Sequence, residues 1–290
     1  HMAGLVIGMN VTPRKGRRWT ATENWSAPNV RKLHLFATER PRKGPTPFAM
    51  SYVLQRDHRL PAMDSVDLPG QPIVLTRGEP TQITVVNRAH EGTAVHWHGI
   101  ELESYSDGVA GWSGFGKLAP MIAPGDSFTA RLSLPRAGTF IYHTHLNDVE
   151  QVTSGMYGPI VVLEPGEKFD RSRDHVFTIG WDGPKASSVV VNGDSVAPPL
   201  ILDAAGTHRL RFVNIAPAAV YTIALIRDTT VATWRPRGKD GADLPMGLRK
   251  PGPAVTRLDA GETFDAEIEH LSPGDYTLNI GPRKRRVIVR

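Results

Sequence analysis

Short β-strand signals recur along the whole of this 290-residue chain. Runs of β-branched or alternating apolar residues, such as 81–87, 138–143 and 276–280, are separated by turns rich in the chain's 28 glycines and 24 prolines. No long stretch keeps a helical period, and no apolar run approaches the roughly 20 residues of a membrane-spanning helix. Many short strands with regular turn signals are typical of β-sandwiches and barrels, so the sequence predicts an all-β fold.

Two parts of the chain resemble each other. T-V-V-N at 84–87 corresponds to R-F-V-N at 211–214, and G-T-F-I-Y-H-T-H at 138–145 corresponds to G-D-Y-T-L-N-I at 274–280. We interpret them as two copies of one β-domain, joined in the polar stretch 164–173. The predicted units are an N-terminal segment 1–30, a first domain 31–165 and a second domain 166–290.

Two H-x-H pairs mark the first copy: His96 and His98 in V-H-W-H-G, and His143 and His145 in Y-H-T-H-L. Strand side chains alternate between faces, so both rings of a pair point the same way. Two such strands side by side would present four imidazoles to one pocket. Neutral imidazole is the commonest protein metal ligand, and it suits zinc, copper, iron and nickel.

The second copy lacks these ligands. In the alignment His143 falls opposite Asn279, and residues 96–98 fall opposite Ile223, Ala224 and Leu225. We therefore expect the second domain to bind no metal in this way and to pack against, or cover, a site.

Composition narrows the chemistry. The chain has no cysteine, which excludes disulfides, thiolate zinc sites, cysteine nucleophiles and a blue-copper centre within these residues. The net charge of +5 is concentrated at 14–18, 40–43 and 283–286. These clusters are separated and match no nucleic-acid module, so they indicate a solvated surface and no specific nucleic-acid partner.

Taken together, H-W-H-G (96–99), Asp107–Gly108, A-P-G-D-S-F (123–128), Y-H-T-H-L-N (142–147) and S-G-M-Y-G-P (154–159) resemble the multicopper oxidases of the laccase group. The resemblance is good over about residues 32–165 and weaker beyond. It implies cupredoxin-like Greek-key β-sandwich or barrel domains. It also implies oxidation of phenolic or similar donors, coupled to reduction of dioxygen to water at copper, in a periplasmic or secreted protein.

The resemblance also implies roles for individual residues. His96 would ligate type 2 copper, and His98, His143 and His145 the type 3 pair, so that this chain supplies half of a trinuclear cluster. Asp107 would be a catalytic residue that hydrogen-bonds cluster water and assists proton delivery, although an Asp-Gly turn explains it equally well.

The type 1 copper of that family needs a cysteine that this chain lacks. We expect the type 1 domain to precede residue 1 or to lie on another chain, and this chain alone to be inactive. Residues 2–7 (M-A-G-L-V-I) echo 156–161 (M-Y-G-P-I-V), which favours the first option: the chain would open on the last strand of an upstream cupredoxin domain. Two alternatives stay open, a non-catalytic copper-binding or structural module and a mononuclear metal enzyme with zinc or copper on three histidines.

Overall fold

The computed structural model describes residues 15–16, 24–113 and 116–290, and the echo at 2–7 lies outside them. Regular structure in this part of the chain is almost entirely β, with 21 strands, one seven-residue α-helix and two short 3₁₀ helices. The all-β prediction is confirmed. None of the helices in the described residues has the length and apolar character needed to cross a membrane.

Eight strands and the helix form the first half of the fold. They are β1 (Arg31–Pro41), β2 (Phe48–Leu54), β3 (Ile73–Thr76), β4 (Thr81–Asn87), β5 (Val95–His98), β6 (Ser127–Leu132), β7 (Gly138–Thr144), α1 (Asp148–Ser154) and β8 (Tyr157–Leu163), with a 3₁₀ helix at Ser104–Ser106.

Thirteen strands form the second half. They are β9 (Asp174–Trp181), β10 (Val189–Val191), β11 (Leu200–Leu202), β12 (His208–Asn214), β13 (Tyr221–Arg227), β14 (Thr230–Val231), β15 (Thr233–Lys239), β16 (Ala242–Asp243), β17 (Gly252–Pro253), β18 (Val255–Leu258), β19 (Thr263–Ile268), β20 (Gly274–Ile280) and β21 (Arg283–Val289), with a 3₁₀ helix at Met246–Leu248.

The first half has two four-stranded sheets, ordered β2-β1-β4-β6 and β3-β8-β7-β5. The pairs β1–β4 and β3–β8 are parallel, and the other neighbours are antiparallel. Strand β4 illustrates the alternation, since Ile83 and Val85 are buried in the core while Gln82 and Thr84 face outward. One face of the sheet therefore packs in the core, and the opposite face can carry residues of a binding site.

The second half repeats this topology. Its sheets run β10-β9-β12-β19 and β11-β21-β20-β13, again with two parallel pairs, and β14–β18 extend them between β13 and β19. Asn87 and Asn214 end β4 and β12, and each is fully buried. The side-chain oxygen of each accepts a backbone N–H two residues on, from Ala89 and Ala216 respectively. The predicted repeat is therefore confirmed, and these asparagines recur because each closes the same turn.

One part of the alignment was wrong by a single residue. His143 and Asn279 occupy equivalent places, but His96 lies opposite His143 while Ala224 lies opposite Asn279. The counterpart of His96 is therefore Ala224 and not Ile223. A one-residue slip exchanges the two faces of a strand. Ile223 is instead fully buried in the core of its own half.

No sheet among the described residues combines strands from both sides of residue 165, so hydrogen-bonded sheet structure does not join the halves. A buried ionic network does. Arg211 contacts Asp174 at 2.7 Å and Asp265 at 2.9 Å, and its guanidinium also donates to the Thr139 hydroxyl on β7. The Thr139 hydroxyl in turn donates to Asp265 at 2.7 Å. The boundary between residues 165 and 166 stays a prediction.

Candidate metal centre

Strands β5 and β7 bring the two H-x-H pairs together. They pair antiparallel, with His96 directly opposite His143. His98 follows on the same face of β5, and His145 lies one residue beyond the end of β7. The first pair lies on the short strand β5 and not on the strand-like run 81–87 upstream of it. That run forms β4, which belongs to the β2-β1-β4-β6 sheet.

The four rings, called here the histidine cluster (His96, His98, His143 and His145), lie within ligand-sharing distance. The His96 ring centroid is 5.5 Å from that of His98, 5.3 Å from that of His143 and 5.4 Å from that of His145. Ligand nitrogens of His96, His98 and His143 all lie within 4.8 Å of one another, and His145 falls outside that tighter group. The structure therefore brings all four predicted residues together, three of them most closely.

The residues between the histidines point the other way, as strand geometry requires. Trp97 is 1% exposed and packs in the core near Tyr142. Thr144 is fully buried, and its hydroxyl donates to the side-chain oxygen of Gln151 on α1. Sequence reasoning missed Gln151, because a single glutamine in a short polar helix belongs to no motif.

Asp107 holds the outer edge of His96. The Nδ1 of His96 lies 3.0 Å from the Asp107 carbonyl oxygen and 3.3 Å from its carboxylate. Gly108, with φ of +78°, allows this approach, since a Cβ there would lie 1.6 Å from the carbonyl oxygen of Val95. The two interpretations of Asp107, a turn residue and a partner of the metal site, are therefore compatible, because the turn brings Asp107 against His96. A metal-bound histidine commonly donates its second N–H to such an acceptor.

His143 and His98 are oriented in a complementary way. The Nδ1 of His143 faces the backbone carbonyl of Thr144 at 2.6 Å, while its Nε2 lies 3.4 Å from Nδ1 of His98. The far edge of His98 rests against Gly261, where a Cβ would lie 3.1 Å from Cε1 and 3.3 Å from Nε2. The second half therefore packs onto the cluster, as expected for a repeat that has lost its ligands.

Burial keeps two of these rings neutral. Desolvation, helped by the neighbouring His96, lowers the pKa of His98 to about 4. Desolvation and the same neighbour hold the pKa of His143 well below its usual range. A histidine must be deprotonated to ligate a metal, so the environment favours the ligand form at neutral pH.

The donor set fits a metal that prefers imidazole ligands. Several neutral nitrogens converge on one space, and the outer nitrogens of His96 and His143 already face oxygen acceptors. Zinc, copper, iron and nickel share this ligand preference.

The remaining histidines serve other purposes. His175 and His208 form a separate pair, with Nε2 of the first 3.1 Å from Nδ1 of the second. His90 contacts Glu39. His34, His58 and His270 are exposed, and His1 lies outside the described residues.

Arginines of two basic clusters, 40–43 and 283–286, form ion pairs or ring contacts within the fold. Arg42 pairs with Asp182 at 2.7 Å, and Arg286 pairs with Asp275 at 2.9 Å. Arg285 is drawn over the Phe177 ring. Of the cluster 14–18, only residues 15 and 16 are described.

Comparison with known proteins identifies the first half. Residues 61–167 match the family model of the multicopper oxidases. A copper resistance protein A homolog of Pseudomonas syringae is 40% identical over 111 residues, 38% of this chain and 18% of that protein. Laccase-2 of Cryptococcus neoformans is 34% identical over 111 residues, 37% of this chain and 18% of that protein. These matches span about one fifth of the relatives' length.

Solved structures extend the likeness over both halves. A multicopper oxidase from Pseudomonas thermotolerans superposes with a TM-score of 0.71 at 22% identity, covering 90% of this chain and 64% of that one. A blue copper oxidase from Nitrosomonas europaea gives 0.68 at 20% identity, covering 89% and 85%. The two halves therefore share the cupredoxin-like fold of these proteins. Sequence match and motif identify residues 61–167 as a domain of the multicopper oxidase family, matched over only part of its relatives' length.

Proposed function

We propose that this chain is part of a laccase-like multicopper oxidase and contributes half of its trinuclear copper cluster. The parent protein would couple oxidation of phenolic or similar donors to reduction of dioxygen to water. Its relatives include proteins named for laccase activity and for copper resistance, which supports copper as the metal. A periplasmic or secreted location is part of the proposal and rests on the family resemblance.

The observation that carries the proposal is the convergence of both H-x-H pairs across one pair of strands. His96 stands opposite His143 in the β5–β7 register. Nδ1 of each ring faces an oxygen acceptor, Asp107 for His96 and the Thr144 carbonyl for His143, so Nε2 is the nitrogen through which each ring would bind a metal. Imidazoles that converge from two paired strands form the kind of donor set that a metal site needs.

By position, His96 would hold type 2 copper, and His98, His143 and His145 the type 3 pair. Copper bound there would supply the stepwise electron transfer that four-electron reduction of dioxygen needs. The protein's own contribution is to keep the imidazoles neutral and oriented. Asp107 fixes His96, and its partly exposed carboxylate is available to pass protons between solvent and the cluster.

In this proposal the type 1 copper comes from residues outside this chain, because the chain has no cysteine. The complementary histidine ligands would come from the same source. We propose a further cupredoxin domain, upstream on the same polypeptide or on another chain. Apolar side chains beside the cluster suit such a contact: Met121 is 51% exposed and Val149 is 38% exposed. A Cβ at Gly92 would touch both Met121 and Leu146, the residue that follows His145, so this apolar surface adjoins the cluster.

A mononuclear enzyme is the second candidate. His96, His98 and His143 alone satisfy the spacing of a three-histidine site, which is the pattern of catalytic zinc with an open position. A copper-binding module without catalysis is the third.

Copper titration of the full 290-residue chain tests the proposal. We expect the chain to bind copper without the intense blue absorption of a thiolate site and without phenol oxidation of its own. The variant His143→Ala should bind copper at least tenfold more weakly, because one ring of the shared site is lost. The matched control is His270→Ala, since His270 is exposed and far in sequence from the cluster, whereas His208 is buried in a histidine pair.

The outcomes separate the candidates. Phenol oxidation that appears only when a type 1 copper domain of the family is added supports the proposal. Turnover by the chain alone with one metal per chain indicates the mononuclear enzyme. Unchanged copper affinity in His143→Ala contradicts the assignment of the site.

A further inference from the structure

A groove of about 600 Å³ lies on the outer face of the β2-β1-β4-β6 sheet, away from the core. Its floor follows the strand register: Lys32 on β1 lies beside Gln82 on β4, which lies beside Arg131 on β6. Lys117 and Tyr105 form the wall. We call this surface the cationic groove.

The cations of the cationic groove are not neutralised. Lys32, Lys117 and Arg131 make no ion pair with any carboxylate in the described part of the chain. Among the residues that the structure describes, Glu103 is the only carboxylate that lines the groove. Other cations of the same half do pair with carboxylates, such as Arg77 with Glu164 at 2.8 Å.

Aromatic rings hold two of these cations instead. The Lys117 ammonium lies 5.5 Å from the centre of the Tyr105 ring, and the Arg131 guanidinium lies 5.8 Å from that of Trp25. A ring attracts a cation through its quadrupole and leaves the net charge in place. The cationic groove therefore positions its charges while keeping them available to a ligand.

Tyr105 is itself fixed, because its ring packs edge-to-face against Phe128 at 5.4 Å. Polar groups complete the floor, where the hydroxyls of Thr84 and Thr129 are 2.9 Å apart. Neighbouring strands are about 4.8 Å apart, so Lys32 and Arg131 stand on strands about 10 Å from each other. Long side chains from both can reach one ligand that carries two charged groups.

We propose that the cationic groove is a binding site for a small anion with two or more charged oxyanion groups, of the condensed-phosphate or polycarboxylate kind. The volume suits a small molecule rather than a polymer. This site is separate from the histidine cluster and does not depend on the proposed oxidase function.

Calorimetric titration of the metal-free, full-length chain tests the site, with pyrophosphate and citrate as separate probes. The groove variant is Lys32→Gln combined with Arg131→Gln. The matched control is Lys185→Gln combined with Lys250→Gln, which removes the same charge at exposed positions that do not line the groove.

We expect one anion per chain to bind, with affinity at least tenfold lower in the groove variant and within twofold of the parent in the control. The tighter of the two probes identifies the ligand as phosphate-like or carboxylate-like. Equal weakening in both variants would mean that net charge alone attracts anions, and it would overturn the proposal. Absence of saturable binding to the parent chain would overturn it as well. Unchanged circular dichroism of the variants confirms that folding is intact.

Discussion

Gln151 joins the helix after the second H-x-H pair to the strands that carry the histidine cluster. It is fully buried, and its side-chain oxygen accepts hydrogen bonds from the hydroxyls of Thr144 and Thr93 at 2.5 and 3.2 Å. Its amide nitrogen donates to the Glu91 carboxylate at 2.9 Å and to the Gly92 carbonyl at 2.8 Å. Thr144 stands between His143 and His145, so this amide braces the strand directly behind two rings.

We predict that Gln151→Ala destabilises the fold by about 3–4 kcal/mol. Four hydrogen bonds are lost at about 1 kcal/mol net each, while the Thr93 and Thr144 hydroxyls keep other hydrogen-bond partners. Copper affinity of the folded protein should also fall by roughly tenfold, as when an outer-shell partner of a metal ligand is removed. Urea denaturation followed by circular dichroism measures the first effect, and a competitive copper titration in the absence of denaturant measures the second.

The matched control is Gln55→Ala, because Gln55 is only partly buried and has no side-chain hydrogen bond in the part of the chain that the structure describes. It should change the free energy of unfolding by less than about 0.5 kcal/mol and leave copper affinity unaltered. A loss below about 1 kcal/mol in Gln151→Ala, with unchanged copper affinity, would refute the bracing role.

Three further predictions follow from buried or constrained groups. Arg211→Met should cost about 3–5 kcal/mol in urea denaturation, because it leaves buried carboxylates without their main partner; a loss under about 1 kcal/mol would contradict this. Burial lowers the pKa of His175 to about 4 from 6.5. The unfolded chain therefore binds the proton more readily, and stability should fall by roughly 1–2 kcal/mol as pH drops through this window, allowing for the ring's partial exposure. In His175→Gln, the free energy of unfolding should depend less steeply on pH between about 6.5 and 4 than in the parent chain. Equal pH dependence in the two proteins would contradict the role of His175. Gly261→Ala should weaken copper binding about tenfold, because the new methyl group presses on His98. Gly125→Ala, at a turn of nearly the same φ with open space around it, should leave copper affinity unchanged in the same titration.

Local sequence patterns predicted most of the strands and the internal repeat. The alternation in β4 and the glycines that begin β7 and β20 are properties of neighbouring residues, which the sequence displays directly. The same logic placed Trp97 in the core, because strand side chains alternate. The short strands β10, β14, β16 and β17 were not predicted, since two or three residues carry no readable period.

Contacts between residues far apart in the chain could not be predicted from local sequence patterns. The slip that set His96 against Ile223 arose because sequence similarity between the copies is weak there, whereas backbone pairing fixes Ala224 as the counterpart. The cationic groove was likewise invisible, because Lys32 and Arg131 are far apart in the chain and meet only through the register of three strands.

The sequence by itself predicted four histidines on strand faces, in two pairs, in a chain without cysteine, and three of them lie on strands. The alternation of strand side chains depends only on neighbouring residues, so the sequence suffices to predict that both rings of a pair share a face. Only the tertiary structure decided which nitrogen of each ring faces inward, that Asp107 holds His96, and that Gly261 of the second half lies against His98. Those choices depend on hydrogen-bond register and on packing between the two halves, and neither is encoded in the order of neighbouring residues.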